Sequence, residues 1–380
     1  MMDVLQLATA GESHGPGIVA ILSGMPSGLT VSPEEINLFL ARRRDAPGRS
    51  SRMQEERDEC QMLSGVRNGV TTGSPISLLV PNRSQGKWGA EPGLYPRPGH
   101  ADWTGVLRHG LTDIRDVWER ASGRSTVAPT CAGAVAVTML REFGIMVFSW
   151  AEAIGGISAR VPDDPLLAAR MAGESAMACP DPEAGQLMLK AIEQARATGT
   201  TLGGVLRVGA VGVAPGLGDY TDFGKRLDAR MAGWLIAIPG VKAVEIGEGI
   251  AQSGMAGRDA HDGFAVKNGK VGRTGNLAGG VEGGMTNGQP ILVRCFVKPV
   301  PTQEKPLPSF NIRTLEPGPA LVERGDTCAV HAVAVVAECV LGLMLADAIL
   351  ARFGSDSVAG VTARYRQYIS SIPWEAPAFD

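Results

Sequence analysis

The longest apolar stretch in the chain, Cys328 to Leu350, contains three polar side chains: His331, Glu338 and Asp347. They leave no uninterrupted apolar run of the about 20 residues that a membrane-spanning helix needs, so no membrane contact is expected. The stretch reads instead as a long helix of roughly 25 residues ending at Phe353. Val127 to Phe143 is a second buried helix, rich in alanine and stopped by Gly144. Its small residues Ala132, Gly133, Ala134 and Ala136 let a partner helix approach closely. With 380 residues, 44% of them hydrophobic, the chain can bury a large core as one big domain or two.

Charge and cysteine usage narrow the function classes. The formal net charge of −3 argues against a nucleic-acid-binding surface and leaves any anion site as a local patch. The cysteines at 60, 131, 179, 295, 328 and 339 form no CxxC pair, so neither a zinc site nor a dithiol redox motif is indicated. Placed singly in apolar runs, they suit reduced thiols in a cytoplasmic protein. The start of the chain, with Asp3 and no basic segment leading into a long apolar core, predicts no signal peptide. Fifty glycines and 25 prolines are spread along the chain, which indicates many tight turns and no disordered tract.

Several local signals locate elements. Ser32-Pro33-Glu34-Glu35 is a helix start with a capping box, and that helix runs into Arg42-Arg43-Arg44. A basic loop from Arg49 to Asp58 follows. A turn at Thr72-Gly73-Ser74 leads into an apolar strand ending at Val80, and Pro81 to Pro98 is a long polar segment closed by His100. Thr112 to about Ser122 reads as a helix. Two helices between Pro162 and Gly199 flank Pro180-Asp181-Pro182. Thr201 to Val213 is β-rich, Asp222 to Ile238 is helical, and Val241 to Ile246 and Pro290 to Val297 are strands. The glycine-dense Gly275 to Gly288 leads into a strand, not from a strand into a helix, so it is not a dinucleotide fingerprint; no GxxxxGK[ST] sequence exists either.

Two histidines carry the chemical signal. His14 lies in Gly11-Glu12-Ser13-His14-Gly15-Pro16-Gly17, between two apolar runs, in a turn whose glycines let other groups approach the backbone. His100 lies in the stiff Arg97-Pro98-Gly99-His100-Ala101-Asp102. Six arginines fall between 42 and 57. They are either a solvated face or a wrap for an anion, for which guanidinium forks are suited. Asp326 or Thr327 is either the N-cap of the long helix or, with Arg324, part of an anion site. Histidines, arginines and no metal set point to acid–base or elimination chemistry on a phosphorylated, carboxylated small molecule.

These blocks resemble the chorismate synthase family over nearly the whole chain. The resemblance rests on Gly11 to Pro16, Arg42 to Asp58 with Arg52-Met53-Gln54, Thr72 to Ile76, Arg97 to Asp102, Asp113-Ile114-Arg115, Glu119 to Ser122, Ala278 to Gly284, Lys298-Pro299, and Arg324 with Asp326. It implies a single large α+β domain over residues 1–380, a layered β/α/α/β sandwich, assembled as a homotetramer. The implied reaction is an anti-1,4-elimination of phosphate from 5-enolpyruvylshikimate 3-phosphate to give chorismate, with reduced FMN and with NADPH as a candidate electron source. By the same resemblance His14 protonates the leaving phosphate or flavin region, His100 stands at the flavin N1–C2 oxygen edge, and Asp326 takes a proton near flavin N5. Arg120, Ala121, Ser122, Pro239, Gly240, Gly283, Lys298, Pro299, Val300, Pro301, Thr302 and Arg324 match flavin-contacting positions. Ser13, Arg43, Arg49, Arg52 and Arg97 match positions for substrate or nicotinamide-nucleotide anions.

The chain departs from the family pattern at Gly325 and Thr327, where His and Pro are usual, at Ser125 and Pro129, where an acid and an arginine are usual, and at Ser84 and Pro239-Gly240. A flavin- or anion-binding paralogue with weak or lost lyase activity is therefore the alternative reading, with a nicotinamide-dependent flavin reductase behind it.

Overall fold

The computed structural model describes residues 2–49, 57–83, 92–323 and 325–377. Arg52, Arg324, Ser84 and residues 50–56 of the basic loop lie outside the described residues.

The helices that shape the molecule are α1 (Pro33–Arg44), α2 (Asp102–His109), α3 (Arg115–Ala121), α4 (Val127–Arg141), α5 (Pro165–Glu174), α6 (Pro182–Thr198), α7 (Leu227–Ile236), α8 (Val330–Phe353) and α9 (Val358–Ser371). Strands β1 (Gln6–Gly11), β2 (Gly17–Ser23), β3 (Gln61–Ser64) and β4 (Ile76–Pro81) form an antiparallel sheet in the order β1-β2-β4-β3. Strands β5 (Met146–Ile154), β6 (Ile157–Ser158), β7 (Gly204–Val211), β8 (Val241–Ile246) and β9 (Ile291–Val297) form a second, in the order β8-β9-β7-β5-β6.

Helix α4 packs on β1, β2 and β4, and α8 packs on α4 and on β5 and β7. The layers are thus sheet, helix, helix, sheet, the α+β sandwich that the resemblance implies. One apolar cluster joins them, from Leu22 and Ile76 through Met139 and Leu341 to Leu206 and Val293. The two central helices touch backbone to side chain. A Cβ on Gly133 would run into the Cys339 carbonyl, and one on Gly342 into Val137. Close crossing of this kind needs small residues at the contact.

Helix α8 is long and apolar enough to cross a membrane, but its residues from Val330 to Leu350 are buried inside the fold. Its interrupting polar residues have specific partners. Glu338 takes two bonds from the Arg42 guanidinium, at 3.0 and 2.8 Å, and one from Ser149. Asp347 accepts the main-chain N–H groups of Asp3, Val4 and Leu5, and pairs with Arg230. Buried charges are tolerated on such terms.

Several boundaries differ from the sequence reading. Ser32 caps α1 through a 3.3 Å bond from the Glu35 N–H. Glu35 does not return it; its carboxylate reaches Arg141 and Thr138 of α4 instead, so the box is half formed. The region 102–109, unassigned by pattern, is helix α2: Gly105 sits at its centre because Val117 of α3 fills the space of a Cβ. Helix α3 starts at Arg115, not Thr112, since Asp113 is spent holding the N–H groups of Gly93 and Arg115. Helix α7 starts only at Leu227, after a short 3-10 turn capped by Asp222. Neither Asp326 nor Thr327 caps α8. The Thr327 carbonyl accepts the Leu202 N–H at 2.8 Å, which bridges this segment to the strand region, and the cap position is Ala329.

Candidate active site

The turn between β1 and β2 is pinned from outside. The Asn82 side-chain amide donates to the Glu12 and Gly15 carbonyls at 2.9 and 2.8 Å, and its main-chain N–H donates to Pro16. Gly17 is required because a Cβ there would press on the Val80 carbonyl of β4. His14 is gripped by Glu119 at the end of α3: its main-chain N–H donates to Oε2 at 2.7 Å, and its ring Nδ1 lies 2.6 Å from Oε1. Burial raises a carboxyl, but the bonds from the His14 ring and main chain hold Glu119 below its ordinary value. Nε2 is left as the ring nitrogen available to a ligand.

His100 has a parallel arrangement. Gly99 takes a left-handed turn, and His100 Nδ1 lies 2.6 Å from Asp102 Oδ1. Arg97 folds over the same carboxylate, with Nε donating to Oδ2 at 2.8 Å and Nη2 to Oδ1 at 3.1 Å, while Nη1 donates to Thr302 at 3.0 Å. Asp102 has no exposed surface. Burial works against its charge, but the bonds from His100 and Arg97 outweigh that and keep the carboxyl well below its usual range. Lys298 donates to the Gly99 carbonyl; burial and the charge of Lys242 lower its ammonium.

A third cluster forms a basic floor. The Asp58 carboxylate, fully buried, pairs with both Arg43 and Arg124. Arg43 also donates to Thr126 at 3.0 Å and to the Gly123 carbonyl at 2.9 Å. Burial and the facing charge of Arg49 pull the Arg43 guanidinium down to about 9, which still leaves it cationic at neutral pH. Arg49 pairs with Asp326.

These groups line one cavity of ≈ 370 Å³, within the range of small-molecule sites. Its apolar side is made by Ala332, Val333 and Val336 of α8 and by Trp118. Of the residues singled out from the sequence, the cavity gathers Ser13, His14, Arg43, Arg49, Arg97, His100, Ala121, Ser122, Pro239, Gly240, Lys298, Pro299, Val300, Pro301, Thr302 and Asp326. Arg120 and Gly283 are not among its lining. Arg120 donates to the Thr9 and Gly11 carbonyls, and Gly283 sits in the tight turn between Glu282 and Met285. Sequence reasoning gave no role to Asp58, Asp102, Trp118, Glu119, Arg124 or Glu323. Asp102 was readable, two positions after His100; Asp58 was not, because nothing in its spacing points to Arg124. Cations face the cavity while Asp58, Asp102 and Glu119 stand behind them, an arrangement suited to a polyanionic ligand and to proton transfer at two ring nitrogens.

The sequence profile of the chorismate synthase family matches residues 5–350. Chorismate synthase of Desulforudis audaxviator is 44% identical over 385 residues, covering 97% of this chain and 98% of its own. That of Carboxydothermus hydrogenoformans is 44% identical over 376 residues, covering 96% and 98%. A crystal structure of a chorismate synthase superposes with a TM-score of 0.81 at 34% identity, covering 97% of this chain and 98% of the other.

Proposed function

The chain belongs to the chorismate synthase family, and we propose that the cavity under α8 is where it performs that family's lyase reaction. The reaction converts 5-enolpyruvylshikimate 3-phosphate to chorismate and phosphate by anti-1,4-elimination, the last step of the shikimate pathway in aromatic amino-acid biosynthesis. The carrying observation is that two carboxylate-backed histidines and buried arginines from distant segments face one small cavity.

The residues fit a reduced flavin beside the substrate. One side of the cavity is apolar, the other is cationic, and Arg49 Nε is a buried donor with no partner among the described residues. Reduced FMN is the cofactor we assign, with NADPH as its candidate electron source. Ala121, Ser122, Pro239, Gly240 and the Lys298 to Thr302 segment would hold it. When bound, it supplies electron density to the allylic system of the substrate. Arg43, Arg49 and Arg124 hold the phosphate and carboxylates and stabilise charge as the C–O bond to phosphate breaks. His14, once its ring is the imidazolium with Nδ1–H on Glu119 and the second proton on Nε2, gives that Nε2 proton to the departing phosphate. Asp326 accepts the proton lost from C6, and the electron pair of that C–H bond completes the diene. His100, oriented by Asp102 and Arg97, hydrogen-bonds at the flavin edge. A single domain and a homotetramer are part of this reading, and the six free, buried cysteines suit a reducing cytoplasm.

The direct test is anaerobic: protein, chemically reduced FMN and the phosphorylated enol ether, followed at the chorismate absorbance. Product formation at catalytic turnover is expected. Tight flavin binding without product would instead favour the binding-only paralogue.

A further inference from the structure

We propose that Glu119 is a positioning residue for His14, fixing which ring nitrogen meets the ligand. This rests on the role given to His14 above. Glu119 is 105 residues away in sequence and 3% exposed, yet both its carboxylate oxygens are committed to residue 14. Oε2 takes the main-chain N–H at 2.7 Å, and Oε1 lies 2.6 Å from Nδ1. The Glu119 carbonyl also takes the Ser13 N–H at 3.0 Å, and the Trp118 indole N–H steadies Oε1 at 3.0 Å. The carboxylate therefore holds the backbone and the ring of His14 together, which fixes the side-chain rotamer as well as its chemistry.

An ionised carboxylate only accepts hydrogen bonds, so Nδ1 must carry the hydrogen and Nε2 is turned to the cavity. The second histidine differs. Asp102 is shared between His100 and Arg97, whereas among the described residues no guanidinium or ammonium shares Glu119. Among the described residues, His14 is thus the one ionisable side chain that Glu119 pairs with, the Trp118 indole being a neutral donor. A glutamine in its place is nearly the same shape, but its amide can face Nδ1 as donor or acceptor and no longer selects one tautomer.

The test uses the whole protein with reduced FMN. Glu119→Gln should lower kcat by about 10- to 100-fold, less than loss of the ring itself, with KM for substrate within about threefold. Added to His14→Ala, it should cause almost no further loss, because a residue that acts through another cannot act once that residue is gone. In protein labelled with 15N-histidine and held at a pH where the ring is neutral, the resonances absent from His14→Ala should report the Nδ1–H tautomer in the wild type, with Nε2 free to take up the proton it later gives, and a mixture in Glu119→Gln. Wild-type kcat with an unchanged tautomer would overturn the proposal, as would losses that multiply in the double variant. If Glu119→Gln does not fold, Glu119→Asp decides: withdrawing the carboxylate by one methylene should lower kcat, and full activity would overturn the assignment. The tautomer signal does not depend on turnover, so a chain without lyase activity would sink the reading of the site while leaving this inference to be judged separately.

Discussion

Arg49 and Asp326, 277 residues apart in the chain, form an ion pair at the edge of the cavity, with the arginine Nη1 donating to Oδ2 of the aspartate. The pair joins the start of the basic loop after α1 to the segment before α8. It also separates Asp326 from the helix start: the cap position is Ala329.

That geometry sets the first prediction. Asp326→Ser cannot act through a lost cap. It removes the anion from a mostly buried guanidinium, at a cost of up to about 3–5 kcal/mol, less than the about 5–15 kcal/mol of a protein of ordinary stability. The variant is expected to fold and to bind flavin while losing most turnover. Thermal melting and a single-turnover assay check this, and a fully active Asp326→Ser enzyme would remove Asp326 from the catalytic residues.

His14→Ala is expected to reduce turnover by roughly 10²- to 10⁴-fold, the usual worth of a positioned acid or base. Substrate affinity should change far less, since the arginines that hold the anions are untouched. Steady-state kinetics with reduced FMN give both numbers; unchanged kcat would make the ring structural.

A third prediction concerns acid stability. Burial pushes His331 at the start of α8 down to about 4 from an ordinary 6.5. The folded ring stays neutral where the unfolded one takes up a proton. Its contribution is complete above the unfolded value and is lost as pH falls toward the folded one. Stability should therefore decline between about pH 6.5 and 4. Below that, Asp102 and Glu119, both held under their ordinary values, add to the loss as they protonate. Denaturation midpoints measured from pH 7 to 3 test the sign, and His331→Leu should flatten the upper part of the curve. An unaltered slope in that variant would show that other groups cause it.

The helix crossing gives the fourth. Gly133→Val places branched carbons against the Cys339 backbone, where overpacking costs about 1–3 kcal/mol and valine fits a helix less well than alanine. A lowered denaturation midpoint with unchanged slope is the expected result. A midpoint equal to wild type would mean the two helices can separate without penalty.

Much of the fold was legible because it depends on local rules. Val127 to Phe143 and the run to Phe353 announce buried helices by composition, Ser32 and Pro33 announce a helix start, and Val241 to Ile246 reads as the strand it forms. Helix α2 was hidden, since its central glycine is favoured only because Val117 occupies the neighbouring space.

By itself, then, the sequence determined the two apolar helices, the turns that carry His14 and His100, and the arginine-rich segment between them, because periodicity, glycine placement and capping act within a few residues. Only the tertiary structure decided that Glu119 stands behind His14, that Asp58 binds Arg43 and Arg124, and that Asp326 answers Arg49 rather than a helix end. Each of these is a buried or partly buried charge whose partner is chosen by where the layers place it. Desolvation makes an unpaired charge costly there, so the fold must supply a partner, and sequence separation carries no information about which one it will be.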